Sequence, residues 1–460
     1  MAVWSDRIRA GRQAGATLRW DARTVRQYKH LGFCTKLDIC DEQKCERKPR
    51  MVQTAPHHTD PAPSMRFSRA DGLRKIWRFL RLYGLGRTWF KVAARKRGSL
   101  PVTWRARDRA DIAMVGCGQY AFATIGYVIA RAHGARFRWC YDPDRAAADG
   151  FRRGFRVRHR ADAPDAWLAD DAVRTVYVAS NHASHADYAC AALDSGRAVY
   201  LEKPVAVSET QLARLEAARL RAEADGTTRL FAGYNRPFSG AIADIKAAIT
   251  PGKDQPLSVS CFVSGHVIGP DHWYRHPGEG TRICGNAGHW IDLFVHLCAR
   301  RDGGADTHRL TLLSADPANP DDDFALSIAT DRGDVFSLML TARSEPFEGI
   351  NETINVQQGD VIAKIDDFCR MTLWQGTTRR RHRYWPKDPG HARAILQPFA
   401  EGPARDWNEV LSSSLLMLAV ADMVRRGETE RTLSLSRERA RLLRAPDSGR
   451  APSDQTRMIP

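Results

Sequence analysis

Asp111-Ile112-Ala113-Met114-Val115 runs straight into Gly116-Cys117-Gly118-Gln119-Tyr120-Ala121, and this stretch decides the fold. A short apolar run is followed by G-x-G-x-x-A and then by a segment with helical spacing. In that context the first glycine permits a tight turn, and Gly118 lets the backbone approach a pyrophosphate. Gln119 and Tyr120 open the helix, whose N-terminal N–H groups face the phosphates, and Ala121 lets that helix pack close to the sheet. The next strand-like run, Arg136–Tyr141, ends at Asp142. A carboxylate there meets the adenosine ribose and would repel a 2′-phosphate, so the pattern favours NAD over NADP.

Working outward, apolar runs at Val173–Ala179, Ala198–Leu201 and Arg229–Ala232 alternate with helical patterns at Ala121–Ala132, Ala183–Leu193 and Glu209–Ala224. Strands that alternate with helices build a parallel, doubly wound sheet. The expected fold class is therefore α/β, with a Rossmann domain over residues 109–235. After about residue 253 the rhythm changes. Leu257–Val263, Leu310–Ser314, Phe324–Ala329, Val335–Thr341, Ile350–Val356 and Val361–Ile365 read as strands whose connections are too short for parallel crossovers. An open, mostly antiparallel sheet follows, interrupted by a helix near Ala287–Ala299 and closed by helices near Trp407–Arg425 and Ser436–Leu443. Residues 236–445 form this second, substrate-binding α/β domain, and residues 446–460 are expected to be a disordered tail.

The motifs Asn181-His182-Ala183-Ser184-His185, Glu202-Lys203-Pro204 and Gly233-Tyr234-Asn235-Arg236 stand in order after the glycine turn. Together the four motifs resemble the glucose-fructose oxidoreductase/inositol dehydrogenase/MocA family, over about residues 109–445. The resemblance implies hydride transfer between nicotinamide and a sugar or cyclitol carbon. It implies that Ser180, Asn181, His182, His185, Glu202 and Lys203 lie along the cofactor, that a cis peptide precedes Pro204, and that Lys203 contacts the substrate hydroxyl. His289, in Gly280-Thr-Arg-Ile-Cys-Gly-Asn-Ala-Gly-His289, matches a family histidine that faces the nicotinamide. It is the expected general base, since an imidazole exchanges a proton near neutral pH. Asp292, one helical turn on, would support it, and Arg236 would meet the substrate. Many relatives carry an aspartate four residues before this histidine. Here Gly285 stands in that place and Asn286 follows, a side chain that can hydrogen-bond a hydroxyl but cannot take its proton. His272-Trp273-Tyr274, aromatic and beside Arg275, reads either as a surface for stacking on a sugar or base and meeting phosphate, as a nucleotide-activated sugar would need, or as an ordinary loop with an anchoring Trp.

Composition narrows the function classes. The chain has 460 residues, 43% apolar and 27% charged, with a net charge of +17. Residues 1–110 hold 26 Lys and Arg against 9 Asp and Glu, whereas the remaining 350 hold 44 of each. The enzyme-like part is neutral, which argues against nucleic acid as a partner. The ten cysteines form no C-x-x-C pair and mostly sit in apolar segments, where buried thiols are expected. No metal is expected, His57-His58 in a proline-bearing stretch being a poor site. With no apolar run of 18 residues and no apolar signal core near Arg7, Arg9 and Arg12, a cytoplasmic location is expected. Residues 1–64 read as a disordered leader before a start at Met65, and residues 65–108 as a basic, amphipathic helical extension. Leu73, Ile76, Trp77 and Leu80 share one helical face, and Gly84 and Gly86 break the pattern. Residues 65–98 carry 11 Lys and Arg against one acid beside Trp77, Phe79, Trp89 and Phe90. They read either as a helical pair packed on the Rossmann domain or as a peripheral membrane contact serving polysaccharide biosynthesis. A homo-oligomer is expected. Two other functions stay open: NAD-assisted elimination, epimerisation or glycoside cleavage without net redox, and a non-catalytic binding or assembly role.

Overall fold

The structure, a computed structural model, describes residues 69–96, 102, 110–224, 226, 229–249, 254–299, 304–344, 349–401 and 404–444. The leader, its His57-His58 pair, Cys34, Cys40, Cys45, Met65 and the tail lie outside the described residues. Helix α1 (Arg69–Arg95) comes first. The chain then alternates through β1 (Ile112–Val115), α2 (Tyr127–His133), β2 (Phe137–Tyr141), α3 (Arg145–Phe155), β3 (His159–Arg160), β4 (Thr175–Val178), α4 (His185–Asp194), β5 (Ala198–Leu201), α5 (Glu209–Ala224) and β6 (Leu230–Ala232). These six strands form one sheet in the order β3-β2-β1-β4-β5-β6, with every pair parallel. Because successive side chains point to opposite faces, β1 divides cleanly. Ile112 and Met114 join the core that packs under α2 and α3, while Ala113 and Val115 join the core on the other face with Leu212 and Leu215 of α5. Both faces are covered, as a parallel sheet requires. Two-residue β3, read from the sequence as connection, has no apolar run to mark it.

Helix α6 (Gly240–Ile249) leads into β7 (Leu257–Ser264) and α7 (Gly288–Cys298). Strands β8 (Thr307–Ser314), β9 (Phe324–Thr330), β10 (Val335–Thr341), β11 (Asn351–Gln358), β12 (Val361–Asp366), β13 (Arg370–Gln375) and β14 (Thr378–Arg383) follow. Short α8 (His391–Ile395), α9 (Trp407–Arg426), β15 (Glu430–Ser434) and α10 (Leu435–Arg444) complete the described chain. The nine strands form a second sheet, β14-β13-β12-β11-β7-β10-β9-β8-β15, antiparallel except where β7 meets β10. Strand β7 shows the cause: Leu257, Val259, Cys261 and Val263 are buried while Ser258, Ser260 and Phe262 face outward. Strands β13, β14 and β15 are additions to the sequence reading. β14 is Thr-Arg-Arg-Arg-His-Arg, with no apolar alternation to betray it, and it lies at a sheet edge, where charge discourages pairing with another chain.

Two segments cross between the sheets. The chain around α8 returns to the first: Tyr177 donates its hydroxyl to the Ile395 carbonyl at 2.6 Å, and Gln397 donates to the Ala232 carbonyl at 3.0 Å. Helix α1 is the other. Gly84 (φ 79°, ψ 170°) kinks it. After the kink, Ala93 and Ala94 are buried and Phe90 packs on Tyr127 and Phe155. Before the kink, the expected apolar face is open, with Leu73 70%, Ile76 43% and Trp77 55% exposed. Among the described residues, α1 therefore packs on the Rossmann domain through the half that follows the kink. No described helix is long and apolar enough to cross a membrane, and the described cysteines are all free thiols.

Candidate active site

The turn after β1 is set by backbone crowding. Gly116 has φ 86°, and a Cβ there would lie 2.3 Å from the Ala179 carbonyl oxygen at the end of β4. Around Gly118 a Cβ would meet nothing within 4 Å, so this backbone is open to a close-lying ligand. The helix behind it begins as a π-helical stretch, Ala121–Gly126, before α2. Asp142, at the end of β2, accepts from Cys117 N–H at 2.7 Å and from Asp144 N–H at 2.8 Å. Its carboxylate is thus fixed over the glycine turn, and burial raises its pKa. An open Gly118, an unobstructed helix start and a carboxylate at the ribose position fit a dinucleotide.

Beyond β4 and β5 the side chains converge on a second element. Ser180 and Asn181 close the β4 end, where Ser184 Oγ donates to Asn181 Oδ1 at 2.6 Å. Asn181 donates to Glu279 Oε1 at 2.7 Å, Ala183 N–H donates to Glu279 Oε2 at 3.0 Å, and His182 Nδ1 lies 3.0 Å from the Glu279 carbonyl. Glu279 is a clasp between the two sheets' loops that the sequence reading missed. His185 is buried beneath, its ring nitrogens 2.7 Å from the Pro204 carbonyl and 3.1 Å from that of Ser180. Burial lowers its pKa to about 4, so the neutral ring serves to hold the turn at Pro204. The Lys203–Pro204 peptide is cis. Glu202 is buried and accepts from the Tyr200 hydroxyl at 2.8 Å.

Lys203 is the meeting point. Its Nζ donates to the Gly285 carbonyl at 2.7 Å, in a π-helical turn, Ile283–Ala287, that runs into α7. Burial lowers its pKa to about 8, against the opposing pull of the Glu202 charge. His289 follows at the start of α7, half-buried and pushed well below the ordinary imidazole range, first by burial and then by the charges of Arg236, Lys203 and His391. Among the described residues, His289 Nδ1 and Asn286 Oδ1 are buried with no hydrogen-bond partner. Buried polar atoms are rarely left so, and a polar ligand would satisfy them. His391 of α8, its Nδ1 also unpartnered, faces Tyr120 across 6.1 Å between rings; no motif around it marks it in the sequence.

Gly285 explains itself through its neighbours. A Cβ there would lie 2.6 Å from Tyr274 Cε2 and 3.1 Å from His182 Cε1. The space that an aspartate would need is filled by an aromatic group: His182 packs on Trp273 and Tyr274 with ring centroids 4.7 and 4.9 Å apart. His272 and Trp273 line the exposed side of this group, and burial pushes the Tyr274 hydroxyl up to about 12. Two expected substrate contacts are otherwise engaged. Arg236 forms a buried bidentate pair with Glu352 at 2.8–2.9 Å over the Trp290 ring. Asp292 is fully buried on Arg405 and Ser413, and so ties α7 to α9. The Arg236 charge still reaches the site, where it lowers the pKa of both His289 and Lys203. No group of three or more potential metal ligands occurs among the described residues.

Comparison with known proteins agrees with this geometry. The family described as "Oxidoreductase family, NAD-binding Rossmann fold" matches residues 110–228. The chain is 23% identical over 187 residues to scyllo-inositol 2-dehydrogenase (NAD(+)) of Bacillus subtilis, covering 40% of this chain and 50% of that protein. It is 29% identical over 175 residues to an inositol 2-dehydrogenase of Ralstonia nicotianae, covering 37% and 48%. The matches thus span about half the length of these curated relatives. Among solved structures, levoglucosan dehydrogenase in complex with NADH and levoglucosan superposes with a TM-score of 0.58 at 14% identity, over 70% of this chain and 99% of that one. Aldose-aldose oxidoreductase from Caulobacter crescentus gives 0.58 at 16% identity, over 71% and 99%. With its glycine turn, its Glu-Lys-Pro strand end and its two-sheet architecture, the chain resembles the glucose-fructose oxidoreductase/inositol dehydrogenase/MocA family of oxidoreductases, whose NAD-binding Rossmann part it matches over residues 110–228.

Proposed function

We propose that the chain is an NAD-dependent oxidoreductase that moves a hydride between nicotinamide and a hydroxyl-bearing carbon of a sugar or nucleotide-sugar. The observation that carries this reading is the convergence of Lys203 Nζ with two buried, unpartnered acceptors or donors, His289 Nδ1 and Asn286 Oδ1, beside the dinucleotide turn. The nicotinamide, when bound, supplies the hydride acceptor. Lys203 spends one N–H on Gly285 and keeps two for a substrate oxygen, where its positive charge favours the developing alkoxide. His289, held neutral by burial, takes the hydroxyl proton as the carbonyl forms. Asn286 orients a neighbouring hydroxyl. The fixed carboxylate of Asp142 supports NAD rather than NADP.

Absorbance of NADH during incubation with a panel of cyclitols, aldoses and nucleotide-sugars tests the reading. Net NADH formation with one of them is expected. Product without net NADH would assign redox-neutral chemistry instead, and NADH binding without turnover on any hydroxylated substrate would leave a binding role.

A further inference from the structure

A second concave surface lies away from the residues used above. Between the first half of α1 and one end of the second sheet is a cleft of about 840 Å³, walled by Trp77, Arg78, Arg81, Arg370, Arg383 and Trp385. Its construction starts at the Gly84 kink. Ending a helix leaves its last carbonyls without intrahelical partners. Two of these are taken up by the second sheet's outgoing chain: Trp385 Nε1 donates to the Arg81 carbonyl at 2.8 Å, and Lys387 N–H donates to the Leu82 carbonyl at 2.8 Å. The kink thereby seats α1 across the sheet end and closes one wall of the cleft.

The charge there is one-sided. Lys387 is neutralised by Asp367 at 2.6 Å. Three guanidiniums, those of Arg81, Arg370 and Arg383, then stand against one further lining carboxylate, Asp366. In the strand register Arg370 lies between Asp366 on β12 and Arg383 on β14, so two arginines face each other directly across a ladder, an arrangement that repels unless an anion intervenes. Among the described residues no carboxylate pairs with Arg81, Arg370 or Arg383 at ion-pair distance. The aromatic side chains are largely exposed. Trp77 is 55% and Trp385 65% exposed, and the Trp385 indole is pinned by its N–H. Arg81 lies 4.7 Å over the Trp77 ring.

We propose that this cleft binds a nucleoside diphosphate, free or carried on a sugar, with the base against Trp385 and the phosphate oxygens on Arg370, Arg383 and Arg81. Guanidinium forks match phosphate oxygens bidentately, and indole faces stack on bases. The volume lies within the usual range for small-molecule sites, roughly 300–1,000 Å³. Where the nucleotide carries the sugar, the site deepens the oxidoreductase reading and that part rests on it; the binding itself does not.

The test is calorimetric titration of the full chain with uridine diphosphate, beside pyrophosphate, uridine, NADH and anionic vesicles. Uridine diphosphate is expected to bind more tightly than either fragment. Arg370→Gln with Arg383→Gln, and separately Trp385→Ala, should each weaken it about tenfold or more while NADH binds as before. Intact NADH binding with no uridine diphosphate binding, or binding indifferent to these substitutions, overturns the proposal and leaves the redox reading standing. Pyrophosphate binding as tightly as the nucleotide overturns the nucleoside class. Vesicle binding that needs the same arginines, without nucleotide binding, assigns the surface to a membrane instead. Loss of NADH-linked turnover on every substrate, with nucleotide binding kept, overturns the redox reading alone.

Discussion

Gly116 and Gly285 stand in the two halves of the site, and different neighbours exclude a side chain from each. At Gly116 the obstacle is main chain: a left-handed φ and the Ala179 carbonyl 2.3 Å from any Cβ. At Gly285 the obstacle is a pair of side chains, Tyr274 and His182. The first glycine follows from how a strand must turn into a helix beside its parallel neighbour, so it belongs to the fold. The second follows from which side chains occupy the site, so it can change together with them. The dinucleotide half is therefore rigid in its requirements, and the half built on α7 is adjustable.

The largest expected effect tests the rigid half. Gly116→Ala should abolish measurable NADH binding and cost about 2–4 kcal/mol of stability, because both strain and overlap fall on backbone that cannot step aside. Titration and thermal melting read the two losses, and near-normal binding would show that the turn yields. Next, Lys203→Ala and His289→Ala should each lose on the order of a hundredfold or more in turnover while still binding NADH. Near-normal rates in His289→Ala would place the base elsewhere.

A pH profile separates the two roles of these groups. Burial depresses the Lys203 ammonium to about 8, so its proton leaves at lower pH than from an exposed lysine. If the cation opposes the alkoxide charge, kcat falls about tenfold per unit above pH 8. Burial also depresses His289, so the acid limb lies well below 6.5. Lys203→Arg, which cannot lose its charge, should remove the alkaline limb from whatever activity it retains; a limb still at pH 8 would belong to another group.

Smaller effects sharpen the adjustable half. Gly285→Asp should lower kcat several-fold by pressing on Tyr274, and Tyr274→Ala in the same chain should return part of that loss. Additive losses in the double variant would mean that the two positions do not share the space. Smallest of all, Asp142→Ala should narrow the NAD preference over NADP a few-fold and weaken NAD by freeing the Cys117 N–H. An unchanged ratio of the two affinities would remove Asp142 from cofactor choice.

Much of this was legible in the chain. Asp111 to Ala121 carries strand, turn and helix start within eleven residues, and each depends on local backbone geometry that local sequence controls. Lys203 was legible as a candidate because Glu-Lys-Pro, with the motifs around it, carries the family resemblance. Strand β14 was not, since an arginine run at a sheet edge gains its pairing from β13 rather than from any apolar pattern of its own. Glu279 and His391 were not, because their partners lie 98 residues away at Asn181 and across the sheets at Tyr120.

By itself, then, the sequence determined the doubly wound sheet, its glycine turn and the change of rhythm at the second sheet, all properties of periodicity and short-range geometry, while the candidate pair Lys203 and His289 came from the family resemblance. Only the tertiary structure decided what those residues meet. It put Lys203 on the Gly285 carbonyl and filled the place of an aspartate with Tyr274. It also committed Arg236 to Glu352 and laid a kinked, basic helix across the end of the second sheet. Such contacts join positions tens to hundreds of residues apart. Their energy comes from desolvating one specific pair of groups, which no local pattern of residues records.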